Sequence, residues 1–213
     1  HHDRAGRLAD TLEYSNVAIP LDRIDPGLRQ QLLEEAASSI EIDGDMLVIR
    51  HIYIERRMEP LDNYLAHATK GQRTRVIREY GHAIRDLAGA NIFPGDMLKK
   101  NFGVTRLGRV VIYDYDEFCY ITECNFRMVP PARDYDDMLS DTPWYSIGEN
   151  AVFPETFGPF FFANADDMAI FKTDHAELMT PGWWRQIKET IMSGDQADLF
   201  PYPEKRRFRN RYN

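Results

Sequence analysis

The stretch NIFPGDMLKKNFGVTRLGRVVIYDYDE, residues 91–117, decides how this chain of 213 residues is read. Pro94-Gly95 stops the preceding pattern and opens a loop. Asp96 follows at once, Asn101 lies five positions later, and Asp114 lies thirteen positions after Asn101. Phe102 to Thr105 reads as one strand, Leu107-Gly108 as a turn, and Arg109 to Tyr113 as a second strand, so Asp114 closes a β-hairpin. A hairpin returns its second arm beside its first. Two side chains far apart in sequence are thereby brought to neighbouring loops.

Upstream, Arg73 to Ala90 repeats Val76, Ile77, Tyr80, Ile84, Leu87 and Ala88 at helical spacing with charges between them. That pattern predicts an amphipathic helix delivering the chain to the loop. Helix, loop Asp, Asn five residues on, hairpin and terminal Asp is the order found around a protein-kinase catalytic loop. Phosphoryl transfer needs a carboxylate to orient the attacking hydroxyl and take its proton. It also needs oxygen ligands for magnesium, which an Asp and an Asn supply. Lys99 and Lys100 are available to neutralise phosphate charge. A lone Asp-x4-Asn carries no weight, because a turn Asp, a loop Asn and a strand-end Asp are each ordinary.

Elsewhere the pattern is simpler. Pro26 opens a helical stretch with Leu28, Leu32, Leu33, Ala36 and Ile40 on one face, and Asp43-Gly44-Asp45 reads as a turn. Met46 to Ile54 reads as a buried strand, and Pro60 begins a short helix through Leu65. From Asp116 to about Pro154 the chain is irregular. Thr180 is the expected cap of a last helix, with Pro181 at its first position and Trp184, Ile187 and Ile191 on one face. Trp183-Trp184 is expected to pack that helix into the core. No repeat and no low-complexity segment is present.

Composition narrows the class. The chain is 43% apolar and carries 12 Phe and 11 Tyr, enough for a sizeable core. A formal charge of −8 argues against nucleic acid as partner. No apolar run approaches the ~20 residues of a membrane span, and no secretory signal opens the chain. The two cysteines, Cys119 and Cys124, allow one disulfide but no framework and no zinc spacing. Reduced thiols and a cytoplasmic location are the expectation. His51, His67, His82 and His175 are scattered and read as structural or surface residues, and the basic run Lys205 to Arg211 as a solvated end. The opening His1-His2-Asp3, without methionine, suggests a fragment of a longer protein.

Literal strings sharpen the reading. Asn91-Ile-Phe-Pro-Gly-Asp-Met-Leu98, Lys100-Asn-Phe-Gly-Val-Thr105 and Val111-Ile-Tyr-Asp-Tyr-Asp-Glu117 resemble the isocitrate dehydrogenase kinase/phosphatase family. So do Arg7-Leu-Ala-Asp-Thr-Leu-Glu-Tyr-Ser15, His51-Ile-Tyr-Ile-Glu-Arg-Arg-Met58, Pro143-Trp-Tyr145 and Arg207-Phe-Arg-Asn-Arg-Tyr212. The strings run the length of the chain in the family's order.

That resemblance implies a bifunctional enzyme, which phosphorylates a serine of isocitrate dehydrogenase with ATP and Mg2+ and also removes the phosphate. It would thereby set flux between the citric acid cycle and the glyoxylate bypass. It implies that Asp96 is the catalytic-loop Asp, with Lys100 beside it, and that Asn101 and Asp114 are the magnesium ligands. Asp116 becomes the carboxylate of the phosphatase direction, and Asp10 an active position with no role in ordinary kinase chemistry. Glu55, Arg56, Arg57 and Met58 match the kinase hinge, whose backbone holds adenine. The expected fold is α+β and mostly helical. It is a protein-kinase-like C-lobe over 59–213, carrying the β-hairpin, preceded by remnant N-lobe strands and hinge over 1–58.

Two departures qualify the pattern. The usual Asp-Phe-Gly is Asp114-Tyr115-Asp116, with a second carboxylate in place of the glycine. No Gly-rich phosphate loop or preceding lysine strand is visible. Gly6 and Gly44 stand isolated, so the chain alone is expected to bind ATP weakly. Two other readings stay open, a small-molecule phosphotransferase and an inactive kinase-like fragment that binds a protein.

Overall fold

A computed structural model describes residues 6–132, 145 and 148–195. The chain divides into two compact units, Ala9–Arg57 and His1–Leu8 with Met58–Asn213. Helices and small sheets are mixed throughout. Among the described residues no helix is long and apolar enough to cross a membrane.

In the unit Ala9–Arg57, β1 (Thr11–Pro20), β2 (Ile40–Asp43) and β3 (Met46–Glu55) form an antiparallel sheet in the order β1-β3-β2. The turn at Gly44 has a φ of 58°, in the left-handed region that glycine enters freely. Helix α1 (Pro26–Glu35) starts where Asp25 accepts from the Gly27 and Leu28 amides at 2.9 and 3.1 Å. The strand expected at Met46 to Ile54 is present, but its expected burial is not. Within β3 only Leu47 is buried, while Tyr53 is 60% and Ile54 45% exposed. The apolar face of α1 is open too, with Leu28 and Leu33 exposed. β-branched residues select an extended backbone, whereas burial needs a covering layer, and one short helix is too small to cover a sheet. The sequence assigns no strand to Thr11–Pro20, where Glu13, Asn16 and Pro20 dilute the β pattern.

The second unit holds the core. Helix α2 (Leu61–His67) is followed by α3 (Lys70–Gly89), which begins in a reciprocal cap. Thr69 Oγ1 accepts from the Gln72 amide while Gln72 Oε1 accepts from the Thr69 amide. The buried stripe of α3, with Ile77, Tyr80, Ile84 and Leu87 fully covered, is the one its periodicity predicts. Strands β4 (Met58–Pro60), β6 (Phe102–Thr105) and β7 (Val110–Ile112) form an antiparallel sheet in that order. β5 (Ile92–Phe93) pairs with β8 (Cys119–Tyr120), and β9 (Asn125–Phe126) pairs in parallel with β10 (Ala151–Val152). β8, β9 and β10 fall in the stretch from Asp116 to Pro154 that the sequence leaves irregular, and β5 lies just before Pro94-Gly95.

Helices α4 (Phe157–Phe161), α5 (Ala165–His175) and α6 (Pro181–Met192) complete the unit. Phe161, Phe171 and Trp184 join the α3 stripe in one cluster, and Trp184 Nε1 donates to the Leu178 carbonyl at 2.8 Å. Thr180 stands at the expected start of α6 with Pro181 next, but its hydroxyl donates back to the Glu177 carbonyl at 2.7 Å and makes no cap. Buried Arg7 is satisfied by Glu79 at 2.5 Å, Asp86 at 2.7 Å and the Val110 carbonyl at 2.9 Å. The basic run Lys205–Arg211 and the pair Pro143-Trp144 lie outside the described residues.

Candidate catalytic loop and its neighbours

After α3 the chain makes the β5 pair and reaches Gly95, whose φ is +71°. A Cβ built there would stand 2.4 Å from the Glu117 carbonyl oxygen, so no side chain fits. The loop that carries Asp96 is therefore pressed against the backbone just past Asp116. The Asp96 amide donates to the Pro94 carbonyl at 2.8 Å, and its Oδ1 accepts from the Leu98 amide at 2.9 Å. From below, Tyr80 of α3 donates its hydroxyl to the Met97 carbonyl. Burial, and next the charge of Asp96, hold the Tyr80 phenol well above its ordinary range, so it stays a donor.

Asn101 is buried at the foot of β6. Its Nδ2 donates to the Asp96 carbonyl at 3.4 Å, which leaves Oδ1 as the oxygen available to a cation. On its other side the Asn101 carbonyl accepts from the Tyr113 amide at 3.1 Å, one step beyond the Phe102↔Ile112 pair. Asp114 follows directly, half-buried, with Oδ1 accepting from the Asp116 amide at 3.4 Å. Asp116 itself is exposed. Asp96, Asn101 and the Asp114–Asp116 segment are thus drawn together twice, by the hairpin bond and by the Gly95–Glu117 approach.

The two lysines, equivalent in sequence, are not equivalent in structure. Lys99 turns inward, where its Nζ donates to the Phe161 carbonyl at 2.7 Å and sits 5.2 Å from the Phe162 ring centre. Burial lowers its pKa, against the opposing pull of Asp167 and Asp62. Lys100 is exposed, and its carbonyl accepts from the Tyr113 hydroxyl. That phenol is pushed above its usual range by burial, then by the charges of Asp62 and Asp114.

Beside Lys99 opens a cleft of about 330 Å³, lined in part by Asp62, Arg73, Asn164 and Asp167. Arg73 grips buried Asp167 through two bonds of 2.6 and 2.5 Å, so that charge is already matched. Sequence reasoning missed this wall. Its members come from α2, α3 and the start of α5, and only Lys99 lies inside a recognisable motif.

Of the remaining predicted positions, all but Met58 belong to the unit Ala9–Arg57, whereas the loop belongs to the other. Asp10 is exposed and directly precedes β1, in the unit Ala9–Arg57. Glu55 ends β3 and accepts from the Thr11 hydroxyl at 2.7 Å, while Arg56 and Arg57 are exposed. Met58 opens β4 in the other unit and lies over Gly103, where a Cβ would meet its Sδ at 2.4 Å.

Among the described residues no group of three or more His, Cys, Asp or Glu is arranged to hold a metal ion. The donors at the loop are of another kind. Asn101 Oδ1 and the Asp114 carboxylate are hard oxygen donors, the kind of group that magnesium prefers.

Comparison with known proteins bears on all of this. A family model described as the isocitrate dehydrogenase kinase/phosphatase (AceK) kinase domain matches residues 1–204. An isocitrate dehydrogenase kinase/phosphatase of Burkholderia multivorans is 52% identical over 211 residues, covering 99% of this chain and 35% of the relative. One from Paraburkholderia phymatum is also 52% identical with the same coverage. One from Methylibium petroleiphilum is 53% identical over 208 residues, 98% of this chain and 34% of that protein. The chain spans about a third of the length of the curated relatives it matches.

Proposed function

This chain belongs to the isocitrate dehydrogenase kinase/phosphatase (AceK) kinase-domain family, and from that premise we propose that it carries the catalytic loop of a bifunctional protein serine kinase and phosphatase. The protein substrate is isocitrate dehydrogenase, and ATP with Mg2+ supplies the phosphoryl group. Residues 59–213 act as a kinase-like C-lobe, with 1–58 as strands of the upper lobe and the hinge. The observation that supports this most is the double tether of the Asp96 loop to the Asp114–Asp116 segment, through Asn101 and through Gly95.

In this reading Asp96 orients the serine hydroxyl and accepts its proton as the oxygen attacks the terminal phosphorus. Its backbone carbonyl is held by Asn101 and the following carbonyl by Tyr80, so the carboxylate is presented by a braced loop. Asn101 and Asp114 would hold magnesium, which when bound offsets charge on the phosphate oxygens. Exposed Lys100 is free to approach the transferred phosphate, whereas Lys99 is committed to the Phe161 carbonyl. Asp116, exposed beside Asp114, positions water for the hydrolytic direction. The hinge backbone of Glu55 to Met58 meets adenine, and Asp10 contributes to the phosphatase direction.

The test uses the full-length enzyme and labelled ATP. Asp96→Asn lowers phosphate transfer to isocitrate dehydrogenase by about 100-fold or more, the usual scale of a lost general base. Asp116→Asn lowers dephosphorylation more than phosphorylation. Undiminished transfer by Asp96→Asn removes the proposal, and equal losses of both activities in Asp116→Asn remove that residue's separate role.

A further inference from the structure

Cys119 and Cys124 stand at the root of this loop with their sulfurs 3.5 Å apart, both as free thiols. The turn Ile121–Glu123 folds the intervening chain back so that the two meet. Their environments differ. Cys119 is half-buried in β8 and lines a cavity of about 200 Å³ with Leu8, Ile92, Phe118, Tyr120 and Glu123. Cys124 is buried, and its Sγ also reaches the Tyr120 carbonyl at 3.4 Å.

We propose that this pair is a site of reversible oxidation, closing to a Cys119–Cys124 disulfide when a hydroperoxide reaches the cavity. The Cys119 sulfur attacks the peroxide oxygen, the O–O bond breaks, and a sulfenic acid and one water form. The Cys124 sulfur then attacks the Cys119 sulfur, its proton leaving with the hydroxyl as a second water. Two thiols and one hydrogen peroxide become one disulfide and two waters. Burial, followed by the contact with Cys119, pushes the Cys124 thiol up. Cys119, the thiol facing the cavity, is the sulfur that meets the oxidant, and Cys124 is the resolving partner already in contact.

The bridge acts on the loop through strand β5. Closing the sulfurs from 3.5 Å to the ~2.05 Å of a disulfide draws Cys119 toward Cys124 and loads the β8 backbone that carries it. Cys119 is paired with Phe93, two residues before Gly95, and Gly95 has no spare room against Glu117. Displacement of β8 is therefore passed to Asp96. A misplacement of about 1 Å costs up to ~100-fold in a positioned reaction, so turnover is expected to fall at least about tenfold on oxidation. This consequence rests on the function proposed above, whereas the bridge itself does not.

The experiment treats the reduced full-length enzyme with hydrogen peroxide, alkylates it and digests it with trypsin. Cleavage after Arg109 and Arg127 leaves both cysteines in one peptide, residues 110–127. The expected peptide refuses alkylation, is lighter by two hydrogens, and regains both thiols with dithiothreitol. Phosphate transfer falls and recovers in parallel. Cys119→Ser, a change at the half-buried position, leaves Cys124 alkylatable and transfer insensitive to peroxide. Two alkylated cysteines after treatment, or Cys119 passing to sulfinic acid without a bridge, overturn the proposal. A bridge with unchanged turnover overturns its link to the loop. An untreated enzyme with no transfer at all counts against the proposed function and leaves the mass result decisive for the bridge.

Discussion

The hairpin β6–β7 and the ribbon β1–β3 are both antiparallel, yet they are opposites in burial. All seven hairpin residues are buried, whereas β1 has none and β3 has only Leu47. The longer element is the exposed one. Pattern and length therefore decide that a strand forms, and the layer above it decides whether it becomes core. The hairpin lies in the unit of α3, whose covered stripe supplies that layer, and the candidate site hangs from its two ends at Asn101 and Tyr113. A site built on a braced element keeps its geometry better than one built on an exposed ribbon.

The largest effect that tests this contrast is Phe102→Ala. Phe102 is fully buried and meets the Tyr80 ring edge-on at 4.9 Å. Truncation leaves a cavity, and urea unfolding of the 213-residue chain should show a loss of about 3–5 kcal/mol. A loss below ~1 kcal/mol would mean the hairpin is not core. Tyr80→Phe comes next. The ring stays, but the Met97 carbonyl is left buried without its donor. The expected loss is about 1–3 kcal/mol in stability. In the full-length enzyme kcat should fall while KM for ATP holds, because the bond braces the Asp96 loop and touches no nucleotide. A change in KM alone would break the assignment.

Much of the loop was legible because its information is local. Asp96, Asn101 and Asp114 are fixed by an amphipathic helix, a Pro-Gly stop and a hairpin, all of which leave periodicities and turn residues in the sequence. The α3 stripe from Val76 to Ala88 is equally legible for the same reason. The Arg73–Asp167 clasp and the inward turn of Lys99 were not legible. Each depends on a partner sixty or more positions away, and a lone charge carries no mark of the charge it will meet. The β5–β8 and β9–β10 pairs were missed because two-residue strands have no period to read. The burial forecast for β3 failed from the opposite cause, since an apolar run has the same look whether or not a layer covers it.

A smaller effect separates the buried face of α3 from its rim. His175 is fully buried, with Nε2 2.9 Å from the Arg78 carbonyl and Nδ1 without a hydrogen-bond partner. Burial lowers its pKa below the ordinary 6.5. The Arg78 carbonyl opposes that shift, His82 and Arg85 add to it, and Glu177 opposes it. The folded chain therefore holds the imidazole neutral where the unfolded chain would protonate it. Its contribution to stability is whole above pH 6.5 and is lost as pH falls from there toward the folded pKa. Urea midpoints should drop on acidification through that window, and His175→Gln should remove part of the drop. An unchanged midpoint between neutral and mildly acid pH would mean the imidazole reaches solvent.

The smallest effect belongs to the ribbon. Tyr53 is 60% exposed, lies opposite Glu13 in the β1–β3 register, and touches the His51 ring at 4.7 Å. Tyr53→Thr puts a β-branched residue, itself a good strand former, in place of the tyrosine and removes only a ring that is mostly in water. The change in stability should stay within about 0.5 kcal/mol, as for surface positions generally. The comparison with Phe102→Ala is informative because both remove an aromatic ring from an antiparallel strand in one chain. If Tyr53→Thr costs as much, the ring is covered and the contrast between hairpin and ribbon disappears. If it costs a few tenths, then strand formation and strand burial are separate outcomes of the same apolar pattern.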